Sequence, residues 1–266
     1  MPPNTHLHPV LIASPVRRSG TTLLQRLLCS APNALIYGEN CANELQIFSN
    51  ILLSKQLFFQ SSSAVRDELL ERVLAGEVND WIADLMPPMA GYQAALQKSC
   101  LSIFEHYQQF AQEQGRNVWG MKMAEWHPSS LQQLQQLLPQ SRLLYIHRPL
   151  ADCVRSAKRV NMVQGTAEIQ QFSQTYRQFL DFVEQQYPHQ RLLVDYERLL
   201  AQPELVVSEI EAFTGAKGIQ ISVLQERINT FKSDLQRDPS GQGYLNPVDL
   251  TAEEKAIVDH WERQEA

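Results

Sequence analysis

The run from Val10 to Leu28 fixes more of the architecture than any other stretch of this chain. Val10-Leu11-Ile12-Ala13 is short and wholly apolar and reads as a buried strand. Leu23, Leu24, Leu27 and Leu28 recur at helical spacing. The turn between them carries Pro15 and Gly20. A strand, a tight loop and a helix in succession aim backbone N–H groups and a helix N-terminus at an anion. The hydroxyls of Ser19, Thr21 and Thr22 add donors, and Arg17 and Arg18 add positive charge. The stretch therefore reads as a cradle for a phosphate or a sulfonate, against the plainer alternative of a strand–helix turn capped by Ser and Thr. It is not a Walker loop, which needs Gly, four residues, then Gly-Lys-Ser/Thr. Ser14 or Pro15 stands where the first Gly belongs, and Thr21 follows Gly20 where the Lys belongs.

Composition narrows the classes. With 266 residues, 44% of them hydrophobic, the chain can bury a sizeable core, and one domain over 1–266 is expected. A net charge of −6 argues against a nucleic-acid partner. Cys29, Cys41, Cys100 and Cys153 show no metal-ligand spacing and read as thiols in a reducing compartment. Met1 to His8 lacks the basic and apolar regions of a signal peptide. No uncharged apolar run approaches the ~20 residues that span a bilayer. A cytoplasmic chain without a membrane span is the expectation.

Further along, Glu39 stands at a turn near the start of the next helix. It is either a carboxylate favoured by the helix dipole or a general base, with Glu44 the weaker candidate for that task. Residues 61–115 carry little chemistry and read as a helical insertion, with a loop at Ser61-Ser62-Ser63. Trp81, Tyr92 and Phe104 are candidates to line an acceptor pocket there. Asn117 to Lys122 reads as a buried strand with Lys122 near its C-terminal end, where open parallel sheets bind ligands. Glu125 and His127 follow. Leu143 to Ile146 reads as another strand, with Arg148 at its end and a helix from Pro149 or Leu150. Ser156 lies ~9 Å along that helix, so a long Arg can share one phosphate with its hydroxyl. Arg148, Arg155, Lys158 and Arg159 make this the most basic patch of an acidic chain. A strand at Arg191–Asp195 precedes Tyr196, residues 231–247 look like a loop, and Thr251 with Glu254 forms a capping box. No carboxylate cluster is offered to an ion, so no metal is expected.

Arg18-Ser19-Gly20-Thr21-Thr22 resembles the 5′-phosphosulfate loop of sulfotransferases that use 3′-phosphoadenosine 5′-phosphosulfate (PAPS). Arg148, seven residues, then Ser156 resembles the 3′-phosphate motif of the same family. Lys122 on the intervening strand and Tyr196-Glu197-Arg198-Leu199 are further landmarks. The pattern is nearest to bacterial and tyrosylprotein-type members. The resemblance implies an α/β, P-loop-like three-layer fold with a central parallel sheet and helical insertions. It implies sulfuryl transfer from PAPS to a hydroxyl or amine of a small-molecule, glycan or peptide acceptor, with PAP as product. Glu39, Lys122 and Arg18 would be catalytic. Arg17, Arg18, Ser19, Gly20, Thr21, Thr22, Arg148, Ser156, Tyr196 and Ser233 would hold the nucleotide, with 231–247 as an active-site loop. The chain departs from the family after Lys122, where Met123 to Pro128 replaces the usual Asp-Pro or Thr-His, which keeps Glu125 and His127 in play as bases. Asn246-Pro247 also replaces a Lys-Pro. Two rivals remain: a small-molecule or nucleoside kinase, and a PAP-binding protein without catalysis.

Overall fold

The computed structural model describes residues 7–77, 85–187, 190–226, 228 and 248–262. Five strands, β1 (Val10–Ala13), β2 (Ala34–Tyr37), β3 (Val118–Lys122), β4 (Arg142–His147) and β5 (Arg191–Asp195), form one sheet in the order β2-β3-β1-β4-β5. Every neighbouring pair is parallel. The helices are α1 (Thr21–Cys29), α2 (Glu39–Leu74), α3 (Met89–Glu113), α4 (Pro128–Leu137), α5 (Leu150–Arg159), α6 (Gly165–Asp181), α7 (Tyr196–Ala201), α8 (Pro203–Thr214) and α9 (Ala252–Glu262). This is the expected α/β fold with a central parallel sheet.

A parallel sheet is covered on both faces, so its central strands must be apolar on both. β1 meets that requirement, with all four residues fully buried. Side chains alternate along each strand. Val10, Ile12, Leu144 and Ile146 therefore face α1, α7 and α8. Leu11, Ala13, Leu143 and Tyr145 face the opposite core, which holds residues of α2 to α6 and α9. β3 approaches β1 so closely at the Val10–Gly120 pair that a Cβ on Gly120 would stand 1.8 Å from the Val10 carbonyl oxygen. Only glycine fits there.

The strand order decides where a ligand can go. The chain leaves β1 toward β2 on one side, and leaves β4 toward β5 on the other. The connections leaving the C-terminal ends of β1 and β4 thus diverge and open a crevice, the usual ligand position of such sheets. The loop carrying Arg18 and the segment carrying Arg148 both border it.

Between β2 and β3 the described residues form two long helices, α2 and α3. The loop expected at residues 61–63 is absent, because α2 runs straight through them. Ser61 shows why serine is tolerated there: its hydroxyl turns back onto the carbonyl of Phe58, 2.9 Å away. Packing of α2 on α3, with Phe59 edge-on to Tyr92, outweighs the local preference for a turn. The helix expected from Ile169 to Tyr187 begins earlier, at Gly165, and finishes in a π-helical turn over Phe182–Gln186.

The capping box at α9 forms as expected. The Thr251 N–H donates to Glu254 (2.8 Å) and the Glu254 N–H donates to Thr251 Oγ1 (3.2 Å). Lys158 of α5 donates to the same carboxylate at 2.6 Å. That ammonium, and next the Thr251 N–H, hold the Glu254 carboxyl below the ordinary carboxylate range. A depressed folded-state pKa means stability that is present above the unfolded value and lost as pH falls through the folded one. Acidification below pH ~4.3 is therefore expected to loosen α9 first. Amide exchange in Ala252–Glu262, compared at neutral and acid pH after correction for intrinsic rates, checks this. Unchanged protection would refute it.

Candidate active site

The loop after β1 is held from several directions. Ser14 is buried, and its hydroxyl lies against the carbonyls of Val16, at 2.8 Å, and of Ala124, which ties the loop to the segment beyond β3. Ser19 is also buried, and its hydroxyl donates to the Val16 carbonyl at 2.8 Å. Cys153 of α5 lies beneath it, Sγ 3.5 Å from Ser19 Oγ. Burial pushes the Cys153 thiol up to about 11, so this sulfur is a neutral packing group rather than a nucleophile. Arg18 adopts a left-handed conformation (φ 73°), unusual for a residue with a side chain. Gly20 follows with φ 105°, and among the described residues no side chain caps the N-terminus of α1. The first amides of a helix have no partner within it. Those of α1 thus face the crevice with the positive end of the helix dipole.

The second motif comes to meet the first. Arg18 Nε donates to Ser156 Oγ at 3.1 Å, closing a sequence separation of 138 residues. Arg148 follows β4, with its guanidinium 4.9 Å from the ring centre of Tyr196, the first residue of α7. That ring also lies against the loop: a Cβ on Gly20 would come within 2.7 Å of Tyr196 Cδ2. Tyr196 thereby fills the space between Gly20 and Arg148. Arg148 Nη2 is 3.3 Å from Asp152, while Arg148 Nε is buried and has no hydrogen-bond partner among the described residues. An orphaned buried donor is costly unless a ligand satisfies it. The rest of the basic patch is partly neutralised. Arg155 pairs with Asp152 at 3.2 Å and Lys158 with Glu254.

The third component lies at the end of β3. Lys122 pairs with Ile12 across the sheet, and its side chain is only 7% exposed. Its Nζ donates to Glu39 Oε1 at 2.6 Å. Glu39 opens α2 directly after Gly38 and is 57% exposed. A buried cation at a strand end and an open carboxylate at a helix start thus form one ion pair. Of the other acidic candidates, Glu125 lies 3.8 Å from Arg17, and burial raises its carboxyl while Arg17 opposes the rise. Glu44 accepts the hydroxyl of Tyr107. His127 is a helix cap: its Nδ1 receives the Ser129 N–H at 3.3 Å at the start of α4. Among the candidate pocket residues, Phe104 is wholly buried in the core and Tyr92 is half-buried against Phe59. Trp81, Ser233 and the loop 231–247 lie outside the described residues.

A sequence profile described as the sulfotransferase family matches residues 9–218. The chain belongs to the sulfotransferase family. Among solved structures, this sulfotransferase is similar to the sulfotransferase domain of the Synechococcus PCC 7002 olefin synthase, with 16% identity over 98% of this chain and 97% of that one and a TM-score of 0.54. It also aligns with a sulfotransferase of Alicyclobacillus acidocaldarius (13% identity, 97% and 100% covered, TM-score 0.47). A third alignment is with the sulfotransferase domain of the curacin biosynthetic pathway (17% identity, 97% and 99% covered, TM-score 0.46). No curated protein matches. The first of these likenesses supports the shared P-loop-like fold, and the family makes this sulfotransferase a transferase. Among its described residues no helix is long and apolar enough to cross a membrane. Two residues at the site had no signal in the sequence. Ser14 opens the loop but nothing beside it announces its bond to the Ala124 carbonyl, and only the sheet order brings Cys153 beneath Ser19.

Proposed function

We propose that this sulfotransferase moves the sulfuryl group of PAPS to a hydroxyl or amine, releasing PAP, with a small-molecule, glycan or peptide as acceptor. The observation that carries the reading is the meeting of two anion-binding motifs in one crevice, Arg18 Nε on Ser156 Oγ. The site suits a nucleotide with phosphate at both ends. The uncapped α1 N-terminus, Gly20, Thr21, Thr22 and Arg18 would take the 5′-phosphosulfate, with Arg17 at the rim. The unsatisfied Nε of Arg148 and the Ser156 hydroxyl would take the 3′-phosphate. Ser19 and Tyr196 would shape the cradle, Ser19 from beneath and Tyr196 between the two phosphate positions. Four free cysteines accord with a reducing, cytoplasmic setting.

PAPS supplies a sulfuryl group on a phosphate leaving group. The acceptor oxygen or nitrogen bonds to sulfur as the bond from sulfur to the phosphate oxygen breaks. Glu39 takes the acceptor's proton, which its exposed position allows. Lys122 and Arg18 stabilise the negative charge left on the phosphate oxygen, and the α1 amides share it. The chain contributes positioning and fixed charge, the pattern of phosphoryl transfer.

Ligand choice tests the reading. PAP is expected to raise the melting temperature well above the effect of ATP with Mg²⁺, since a ligand at ~100-fold its Kd adds about 2.7 kcal/mol. A shift with ATP and Mg²⁺ but none with PAP would favour a kinase. PAP binding with no turnover of any acceptor class under radiolabelled PAPS would favour a non-catalytic binder. Arg148→Ala is expected to weaken PAP binding by about 2 kcal/mol, the usual value for a hydrogen bond to a charged group. Ser156→Ala should cost about 1 kcal/mol. Titration calorimetry measures both, and unchanged affinity in both would remove the 3′-phosphate assignment.

A further inference from the structure

The C-terminal helix lies beyond residues 9–218 that match the family profile, yet it holds the helix of the second anion motif at both ends. α5 begins after Pro149, which offers no side-chain cap to its N-terminal amides. Glu262 of α9 takes that place, its Oε1 accepting the Ala151 N–H at 2.9 Å. At the other end of α5, Lys158 gives Glu254 two short contacts, 2.6 and 2.7 Å. Both partners of that pair are nearly buried, with side chains 17% and 7% exposed.

The spacings match. Glu254 and Glu262 are ~12 Å apart along α9, and Lys158 and Ala151 are ~10.5 Å apart along α5. The two helices therefore run antiparallel in register. Val258, four residues from each carboxylate, is fully buried in the core beneath α9, and Ile257 and Trp261 pack on the same core. Each contact suits the end of α5 that it meets. A carboxylate at the N-terminus complements the helix dipole, and Lys158 in the last turn is drawn onward to Glu254.

Cys153, beneath Ser19, and Ser156, bonded to Arg18, lie on α5 between the two grips. From this geometry we infer that Glu254 and Glu262 are positioning residues for the donor nucleotide. α9 fixes the axial position of α5, so that Ser156 meets Arg18 and the two phosphate motifs stay in register. Anion sites depend on such registration, because misplacement by about 1 Å costs heavily in affinity and rate. Linkage makes the effect reciprocal: a donor that needs α5 in place also stabilises the docking of α9. The inference rests on the donor site proposed above.

The test is PAP titration of the wild type and of Glu254→Gln/Glu262→Gln, with hydrogen exchange of the wild type in parallel. The double variant is expected to bind PAP about 10-fold more weakly. Its KM for PAPS should rise by a similar factor while the acceptor KM stays near wild type. In the wild type, PAP is expected to slow amide exchange in Ala252–Glu262. A folded double variant that binds PAP within twofold of wild type would overturn the inference. If the double variant does not fold, unchanged exchange of α9 on PAP binding to the wild type overturns it instead. Failure of the wild type to bind PAP at all would strike the proposed donor site itself, and is thus distinguishable.

Discussion

Glu39→Gln is expected to bind PAP as the wild type does and to turn over ~10²- to 10⁴-fold more slowly, the range for loss of a general base. Glutamine keeps the shape of the side chain and can still accept the Lys122 hydrogen bond, so the floor of the site should survive. It cannot take a proton from the acceptor. Two controls separate Glu39 from its neighbours. His127→Asn should leave turnover nearly unchanged, because His127 caps α4 and asparagine is among the best helix caps. Glu125→Gln tests another carboxylate near the loop, whose burial favours its protonated form. Steady-state rates with a true acceptor decide among them. Turnover of Glu39→Gln within tenfold of wild type, with a collapse in Glu125→Gln, would move the base to Glu125 while leaving the donor site intact.

The second large effect concerns the sheet. Gly120→Ala should destabilise the fold by about 3 kcal/mol or more, at the upper end of overpacking effects. The added methyl would fall 1.8 Å from the Val10 carbonyl oxygen, and main chain cannot swing aside as a side chain can. β3 is paired on both edges, to β2 and to β1, so it has no free side to shift toward. Urea unfolding of the purified variant measures the loss. A midpoint unchanged from wild type would mean that β1 and β3 are not in this register. The loss should also show as weakened PAP affinity, because Lys122 and the β1 loop both depend on that pairing.

The local parts of this site could be read from the chain. An apolar tetrad, a loop with Gly20 and a leucine-spaced helix form a pattern within about twenty residues. Arg148 and Ser156 sit on one strand end and the helix that follows. The parts that could not be read are those made by the sheet order. Glu39 and Lys122 are separated by 83 residues, and nothing in their neighbourhoods announces a 2.6 Å ion pair. The basic patch of α5 looked like a single surface, yet Lys158 belongs to Glu254, 96 residues away. The serines near residue 61 carry a turn signal, and burial against α3 overrules it.

One consequence follows from where α2 and α3 are anchored. The chain leaves the sheet at Tyr37 and returns at Val118, which pairs with Ala34, while Tyr37 itself stands beside Met121 near the end of β3. Because the two strands are parallel, the excursion departs at one end of the sheet and returns at the other, and the Glu39–Lys122 pair joins the first residue of α2 to the last residue of β3. The length of chain between those two residues adds little cost, since loop closure depends only weakly on length. The excursion can thus differ in length and outer surface while the Glu39–Lys122 pair, the proposed base and its partner, stays fixed at the C-terminal end of β3.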